Sequence, residues 1–317
     1  MSAGRVLVTG ASGFVGRDLV ARLARAGWQV RALARHWPHQ PIEGVEPVLG
    51  GDIARPLDWA PLLAGCDAVV HAAGIAHTGG VEASAYEQVN TRATLDLAEA
   101  ARGRVARFVF LSSIRAQSGA SAPGVLTEET PPRPSDAYGI SKLRAEEGLA
   151  RIDGLGLSVL RPTLVVGEEA KGNLATLMAL ARLPGPLPFA GLKARRSLIA
   201  RSDLGEAVRR AVDPAAPALG TVIVSDPQPL SIARMIATLR EGLDRRPMLF
   251  PVPEALIGLA LTALGRGADR ERLFGDLVAS PAKLISLGWK PREPAAEALR
   301  AFAAARREPR IPEPPRP

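Results

Sequence analysis

The stretch Thr9-Gly10-Ala11-Ser12-Gly13-Phe14-Val15-Gly16 constrains the fold more than any other part of this 317-residue chain. It follows an apolar run, Arg5–Thr9, and leads into a helical pattern over Gly16–Ala26. Each glycine has a separate physical duty. Gly10 permits a tight turn, Gly13 removes a Cβ where a phosphate would approach, and Gly16 lets helix and strand pack closely. Free N–H groups at the start of the helix then favour an anion. A glycine triplet alone is a common surface turn. Its setting here, between the first strand and the first helix, makes it a dinucleotide-binding loop. Ser12, Phe14 and Val15 join Gly10 and Gly13 as candidate cofactor contacts.

The rest of the first half repeats the β-then-α rhythm. Strands are expected over Arg5–Thr9, Gln29–Ala34, Ala68–Ala72, Arg107–Leu111 and Ser158–Leu160, with helices over Gly16–Ala26, Asn90–Ala101 and 135–150. Near-continuous apolar strands alternating with helices describe an α/β fold, a Rossmann-type doubly wound parallel sheet covered on both faces. After Arg161-Pro162 the texture changes to Pro- and Gly-punctuated segments with one β-like run, Thr221–Ser225. The expected division is a dinucleotide-binding domain over 1–165 and a smaller, discontinuous α+β substrate domain over 166–303, some of whose segments return to the sheet. A mobile Pro-rich tail is expected over 304–317. Val252–Gly265 is strongly apolar but too short to span a bilayer, and is expected to be a packed helix; contact with a partner or a membrane surface is the less favoured alternative.

The second strand ends in Leu33-Ala34-Arg35. A carboxylate there would accept from the adenosine ribose hydroxyls of NAD; a cation instead suits the 2′-phosphate of NADP. Arg35 therefore favours NADP over NAD. Asp52 and Ile53 are placed to contact the adenine, and Ala72-Ala73-Gly74 ends another strand with residues small enough for a cofactor to lie against backbone.

Tyr138 and Lys142 stand four apart on one face of a helical stretch. With two tyrosines and five lysines in the chain, chance would supply such a pair in about 3% of chains of this composition. A nearby ammonium is expected to stabilise a phenolate and lower the phenol pKa, so that Tyr138 can exchange a proton with a carbonyl or alcohol. Ser112-Ser113 follow the Arg107–Leu111 strand at the carboxyl edge of the sheet. Ser113 can hold the reacting oxygen against Tyr138.

Taken together, TGASGFVG, VVHAAG, Asn90-x-x-x-Thr94, Ser113, Tyr138-x-x-x-Lys142 and LRPT (160–163) resemble the extended short-chain dehydrogenase/reductase family, of the NAD-dependent epimerase/dehydratase type. The resemblance continues through Gly172-Asn173-Leu174, Arg195-Arg196-Ser197-Leu198 and Asp203-Leu204, which are similar to the nucleotide-sugar branch. It implies a nicotinamide dinucleotide, the catalytic set Ser113, Tyr138 and Lys142, and Pro162 as a further cofactor contact. It also implies Asn173 and Arg196 on the diphosphate of a UDP-sugar, with Arg272 a weaker candidate there. The 4,6-dehydratase branch usually carries Thr-Asp-Glu where this chain has Ser113-Ile114-Arg115, which argues against water elimination. Two reactions at C4 of a UDP-hexose are left, 4-epimerisation or reduction of a 4-keto sugar, in surface-polysaccharide sugar synthesis. A reductase or dehydrogenase of a hydrophobic alcohol, of steroid or flavonoid type, would share every cofactor motif. A non-catalytic nucleotide sensor is the alternative from another class.

Charge and cysteine use complete the expectations. A net charge of +8 and an isoelectric point near 10.4 invite a nucleic-acid partner. The cations are mostly scattered arginines, however, and aromatic residues make up only 4%, so no specific nucleic-acid role is expected. A single cysteine, Cys66, and four histidines make neither a disulfide nor a metal site. With no apolar run of membrane-spanning length and no leader before Arg5, a cytoplasmic protein is expected, and a homodimer is left open.

Overall fold

The computed structural model describes residues 4–37, 40–50, 52–76, 80–263, 265, 267 and 269–307. Seven strands form one parallel sheet: β1 (Arg5–Thr9), β2 (Gln29–Ala34), β3 (Val45–Leu49), β4 (Ala68–His71), β5 (Arg107–Leu111), β6 (Leu157–Pro162) and β7 (Gly220–Val224). Their order across the sheet is β7-β6-β5-β4-β1-β2-β3. The order reverses between β1 and β4, and this opens a crevice at the carboxyl ends of those two strands, where ligands bind in folds of this kind.

Burial explains why these runs become strands. Val6, Leu7, Val8, Val69, Val70, Phe108, Val109 and Phe110 are wholly buried, as expected for a sheet covered on both faces. One face packs Val6, Val8, Val70 and Val109 against Leu19, Val20, Leu204 and Val208, which come from helices α1 (Phe14–Arg25) and α5 (Arg201–Ala211). The other face packs Leu7, Val69, Phe108 and Phe110 against Leu97, Ala98, Ala145 and Leu149, from α2 (Ala93–Ala101) and α3 (Ala137–Leu149). Strand β3 was not expected from the sequence. It is the edge of the sheet, and its Glu46, Pro47 and Leu49 are exposed, so the apolar alternation that marks a strand is missing.

A further apolar cluster joins α4 (Asn173–Arg182), α6 (Ile232–Gly242) and α8 (Ala295–Ala304) through Leu174, Leu177, Met235, Ile236, Leu239, Leu299 and Phe302. Helix α7 (Glu254–Ala263) departs from expectation. Among its residues only Gly258 is buried, while Leu256 and Leu259 are 56% and 65% exposed. It lies on the molecule rather than within it. Of the expected tail, Arg306 and Arg307 are tied down: Arg306 stacks on Phe302, 4.0 Å from the ring centre, and Arg307 Nε donates to the Gly242 carbonyl at 2.7 Å. Residues 308–317 lie outside the described residues. No helix among the described residues is long and apolar enough to cross a membrane.

Candidate active site

The glycine loop sits at the carboxyl end of β1, and its spacing is enforced by contact. A Cβ on Gly16 would lie 2.1 Å from the Gly10 carbonyl oxygen, and one on Gly10, which has φ +67°, would lie 2.6 Å from the Ala73 nitrogen. Gly13 is the N-cap of α1, with no side chain capping the helix and no acidic residue in its first turn. The donors of that turn therefore face the crevice without a carboxylate competitor, which fits a dinucleotide diphosphate. Phe14 is held from behind by Arg201, whose guanidinium lies 5.0 Å over its ring. Arg35 is exposed just beyond β2, and Asp52 Oδ1 accepts from the Ala54 backbone at 3.2 Å, pinning the turn that also presents Ile53.

Across the crevice, Ala72, Ala73 and Gly74 are positioned by a buried chain of hydrogen bonds. The Ala73 N–H donates to Thr9 Oγ1 at 3.2 Å, Thr9 Oγ1 lies 2.7 Å from His71 Nδ1, His71 Nε2 lies 2.9 Å from Thr94 Oγ1, and the Thr94 hydroxyl donates to the Asn90 carbonyl at 2.8 Å. These partners fix the protons. Thr94 spends its only hydrogen on Asn90 and so accepts from His71 Nε2–H; Nδ1 then accepts from Thr9. Burial, reinforced by the Lys142 charge, accordingly lowers the His71 pKa to about 3. Asn90 sits in a π-helical turn, Glu87–Arg92, that precedes α2. Its side chain accepts from the Ile75 N–H at 2.8 Å and donates to the Ile75 carbonyl and Ser141 Oγ, each at 3.1 Å. A Cβ on Gly74 would meet Asn90 Oδ1 at 2.9 Å and Lys142 Nζ at 3.4 Å, so glycine allows this close approach.

Helix α3 carries Tyr138 and Lys142 and is attached to the end of β5 at four points. Lys142 Nζ donates to the Leu111 carbonyl at 2.9 Å, Ser112 Oγ bonds Glu146, and Ser113 acts on the Tyr138 phenol. Arg115 pairs with Asp136, which in turn caps α3 by accepting from the Gly139 N–H at 2.8 Å. Arg161 of β6 completes the second point, donating from Nε to both Glu146 oxygens at 3.1 Å; both partners are buried. The expected influence of Lys142 on the phenol is not found. Lys142 is turned to Leu111 and lies 4.6 Å over the Phe110 ring. Burial pushes the Tyr138 phenol above its ordinary pKa, and the Ser113 hydrogen bond is the main opposing influence. Burial also lowers Lys142, to about 8, against the pull of Glu146.

Of the residues expected at the substrate end, the structure brings Arg196 and Arg272 together. Arg196 donates to the carbonyls of Arg272 and Gly275, and burial lowers its pKa. Asn173 is exposed at the first residue of α4 and makes no contact with either arginine among the described interactions. Pro162 ends β6, next to Val224 of β7.

The sequence profile of the NAD dependent epimerase/dehydratase family matches residues 6–223, more than half of the chain and the whole of the crevice just described. The chain belongs to this family. Within the epimerase/dehydratase family it is similar to a UDP-glucose 4-epimerase of Vibrio cholerae, 32% identical over 95% of this chain and 94% of that protein. It is also similar to a ceramide reductase of Caulobacter vibrioides, 28% identical over 91% and 86% of the two chains. Among solved structures it resembles MoeE5 in complex with UDP-glucuronic acid and NAD, with a TM-score of 0.73, 25% identity, and coverage of 95% of this chain and 98% of that one.

In this family member, sequence reasoning missed Arg115, Asp136, Glu146, Arg161 and the His71 chain. Two signals for them were visible. Glu146 follows Lys142 by one helical turn, and Asp136 stands at the N-cap position before Tyr138. The remaining partners meet only through the tertiary fold.

Proposed function

We propose that the protein is a nicotinamide-dinucleotide-dependent enzyme acting at C4 of a UDP-hexose, as a 4-epimerase or a 4-keto reductase. The observation that carries this reading is the Tyr138 phenol, acted on by burial and by Ser113 at the end of β5, across the crevice from the uncapped start of α1. Similarity to the Vibrio cholerae epimerase over nearly all of both chains supports the substrate class.

Gly10, Ser12, Gly13, Phe14 and Val15 would hold the cofactor diphosphate, Arg35, Asp52 and Ile53 its adenosine, and Ala72, Ala73, Gly74 and Pro162 the nicotinamide half. When bound, the dinucleotide supplies or accepts hydride. Tyr138 moves the proton of the sugar hydroxyl, and its raised pKa keeps it protonated at neutral pH, as a proton donor must be. Ser113 orients the reacting oxygen. Lys142, held by Leu111 through one N–H, has two further donors for ribose hydroxyls. Arg196, with Arg272 and Asn173, would bind the UDP diphosphate, so that binding energy remote from the reacting carbon positions the sugar.

Arg35 favours NADP, since a guanidinium suits a 2′-phosphate and no carboxylate follows β2. Arg35→Glu should reverse the preference between the two dinucleotides, measured by titration. To test the reaction itself, a panel of UDP-sugars and UDP-4-keto sugars is incubated with and without NADPH. Redox-neutral interconversion identifies an epimerase, and NADPH consumption with a keto sugar a reductase. Turnover retained in Tyr138→Phe would sink the assignment. Similarity to the ceramide reductase favours a second reading, reduction of a lipid-like ketone. That reading predicts no rise in melting temperature with UDP.

A further inference from the structure

Three helices end at one pole of the molecule. Arg182 closes α4, Gly242 closes α6 and Ala304 closes α8. Their last carbonyls are met by arginine side chains. Arg182 donates to the Arg306 carbonyl at 2.9 Å, Arg240 to those of Leu183, Gly185 and Arg246 at 3.0–3.2 Å, Arg307 to that of Gly242 at 2.7 Å, and Arg245 to those of Arg182 and Leu183. Capping by cations suits the negative ends of helices. Arg240 is buried by these contacts, whereas Arg182, Arg245, Arg246 and Arg307 are exposed at this pole. Among the described ion pairs only Arg307 has a carboxylate partner, Asp244.

Apolar side chains stand beside the cations. Nine large hydrophobic side chains are exposed among the described residues, and five of them are Leu183, Met248, Phe250, Leu256 and Leu259. The segments that carry them are joined: Leu187 N–H donates to the Met248 carbonyl and Phe250 N–H to the Leu187 carbonyl, both at 2.9 Å. Helix α7 begins three residues after Pro251. Its Leu256, Leu259, Ala260 and Ala263 fall at i, i+3, i+4 and i+7 and are exposed, while Ile257 and Gly258 face the protein.

We propose that this pole docks on an anionic phospholipid surface, with the leucines of α7 and with Met248, Phe250 and Leu183 entering the headgroup boundary, and with the exposed Arg182, Arg245, Arg246 and Arg307 facing lipid phosphates. Unneutralised cations beside a raised apolar face are the chemistry of interfacial binding. Self-association through the same face would set four exposed guanidinium groups against four more on a chain already at +8. A nucleic acid would use the arginines and leave the leucines without a role. Docking is independent of the reaction proposed for the crevice.

Flotation of the full-length protein with vesicles tests this. Binding to phosphatidylcholine vesicles containing about 30 mol% phosphatidylglycerol should be at least about tenfold stronger than to phosphatidylcholine alone, and should weaken with salt. The double variant L256S/L259S and the single variant Arg246→Glu should each lose about tenfold of that binding, with melting temperature and turnover of a soluble substrate unchanged. Equal binding to both vesicles, no binding, or binding unaffected by L256S/L259S overturns the proposal. So does a dimer in solution that L256S/L259S dissociates.

Discussion

Two basic side chains buried beside the Gly74 turn are held away from their ordinary ionisation, with opposite consequences for the working site. His71 is neutral down to about pH 3, because burial, reinforced by the Lys142 charge, disfavours the imidazolium. The unfolded chain binds a proton at this position near pH 6.5 and the folded chain does not, so stability from His71 is complete above 6.5 and is lost as pH falls toward 3. By pH 5 the loss should reach about 2 kcal/mol. Urea unfolding of the protein and of His71→Gln at pH 7, 6 and 5 checks this, the variant giving the flatter dependence. Lys142, at about 8, is charged at neutral pH but at a cost from burial. Its folded pKa lies below the unfolded one, so its contribution to stability rises as pH passes from about 8 toward 10.5. Lys142→Met should lack that rise. The Tyr-x-x-x-Lys spacing was plain in the sequence. The direction of the phenol pKa was not, because it depends on Ser113 and on burial rather than on the residue four places along.

Helix α3 illustrates what a motif contributes and what it omits. Its length follows from an Asp136 cap and a run free of proline, yet its hydrophobic pattern is weak because Lys142 and Glu146 occupy buried positions. What holds it is the succession Leu111–Lys142, Ser112–Glu146, Ser113–Tyr138 and Arg115–Asp136. Removing one partner of the buried Arg161–Glu146 pair leaves the other charge uncompensated. Glu146→Gln should therefore destabilise the protein by about 3–5 kcal/mol. The paired replacement E146L/R161M should recover most of this in thermal melts while shifting Ser112 and lowering turnover. At the glycine loop, Gly16→Ala would place a methyl against the Gly10 carbonyl, 2.1 Å away. Dinucleotide affinity should fall by about tenfold or more, read by fluorescence titration, together with the melting temperature. Strand β3 escaped sequence reading and α7 was read as a helix but expected to be packed, for a shared reason: apolar pattern reports burial, β3 is buried too little to show it, and α7 has the apolar pattern without the burial.

For the whole molecule, the fold was legible wherever strands were apolar and followed by helices, which covers β1, β2, β4, β5 and β6. The charge was legible in amount but not in place. Six of the arginines gather where three helices end, an arrangement that composition cannot reveal. The seventh strand has a consequence for synthesis. β7 is added at residue 220, after the chain has left β6 at residue 162 and built α4 and α5. Val222, Ile223 and Val224 of β7 are wholly buried, and without them β6 is an open edge. A nascent chain emerging from the ribosome therefore carries all its glycine-loop and Tyr138 residues well before its sheet can close. A fragment ending at residue 166 should aggregate or bind holdase chaperones, whereas one ending beyond β7 should not expose this edge, as pulse proteolysis of stalled chains would show.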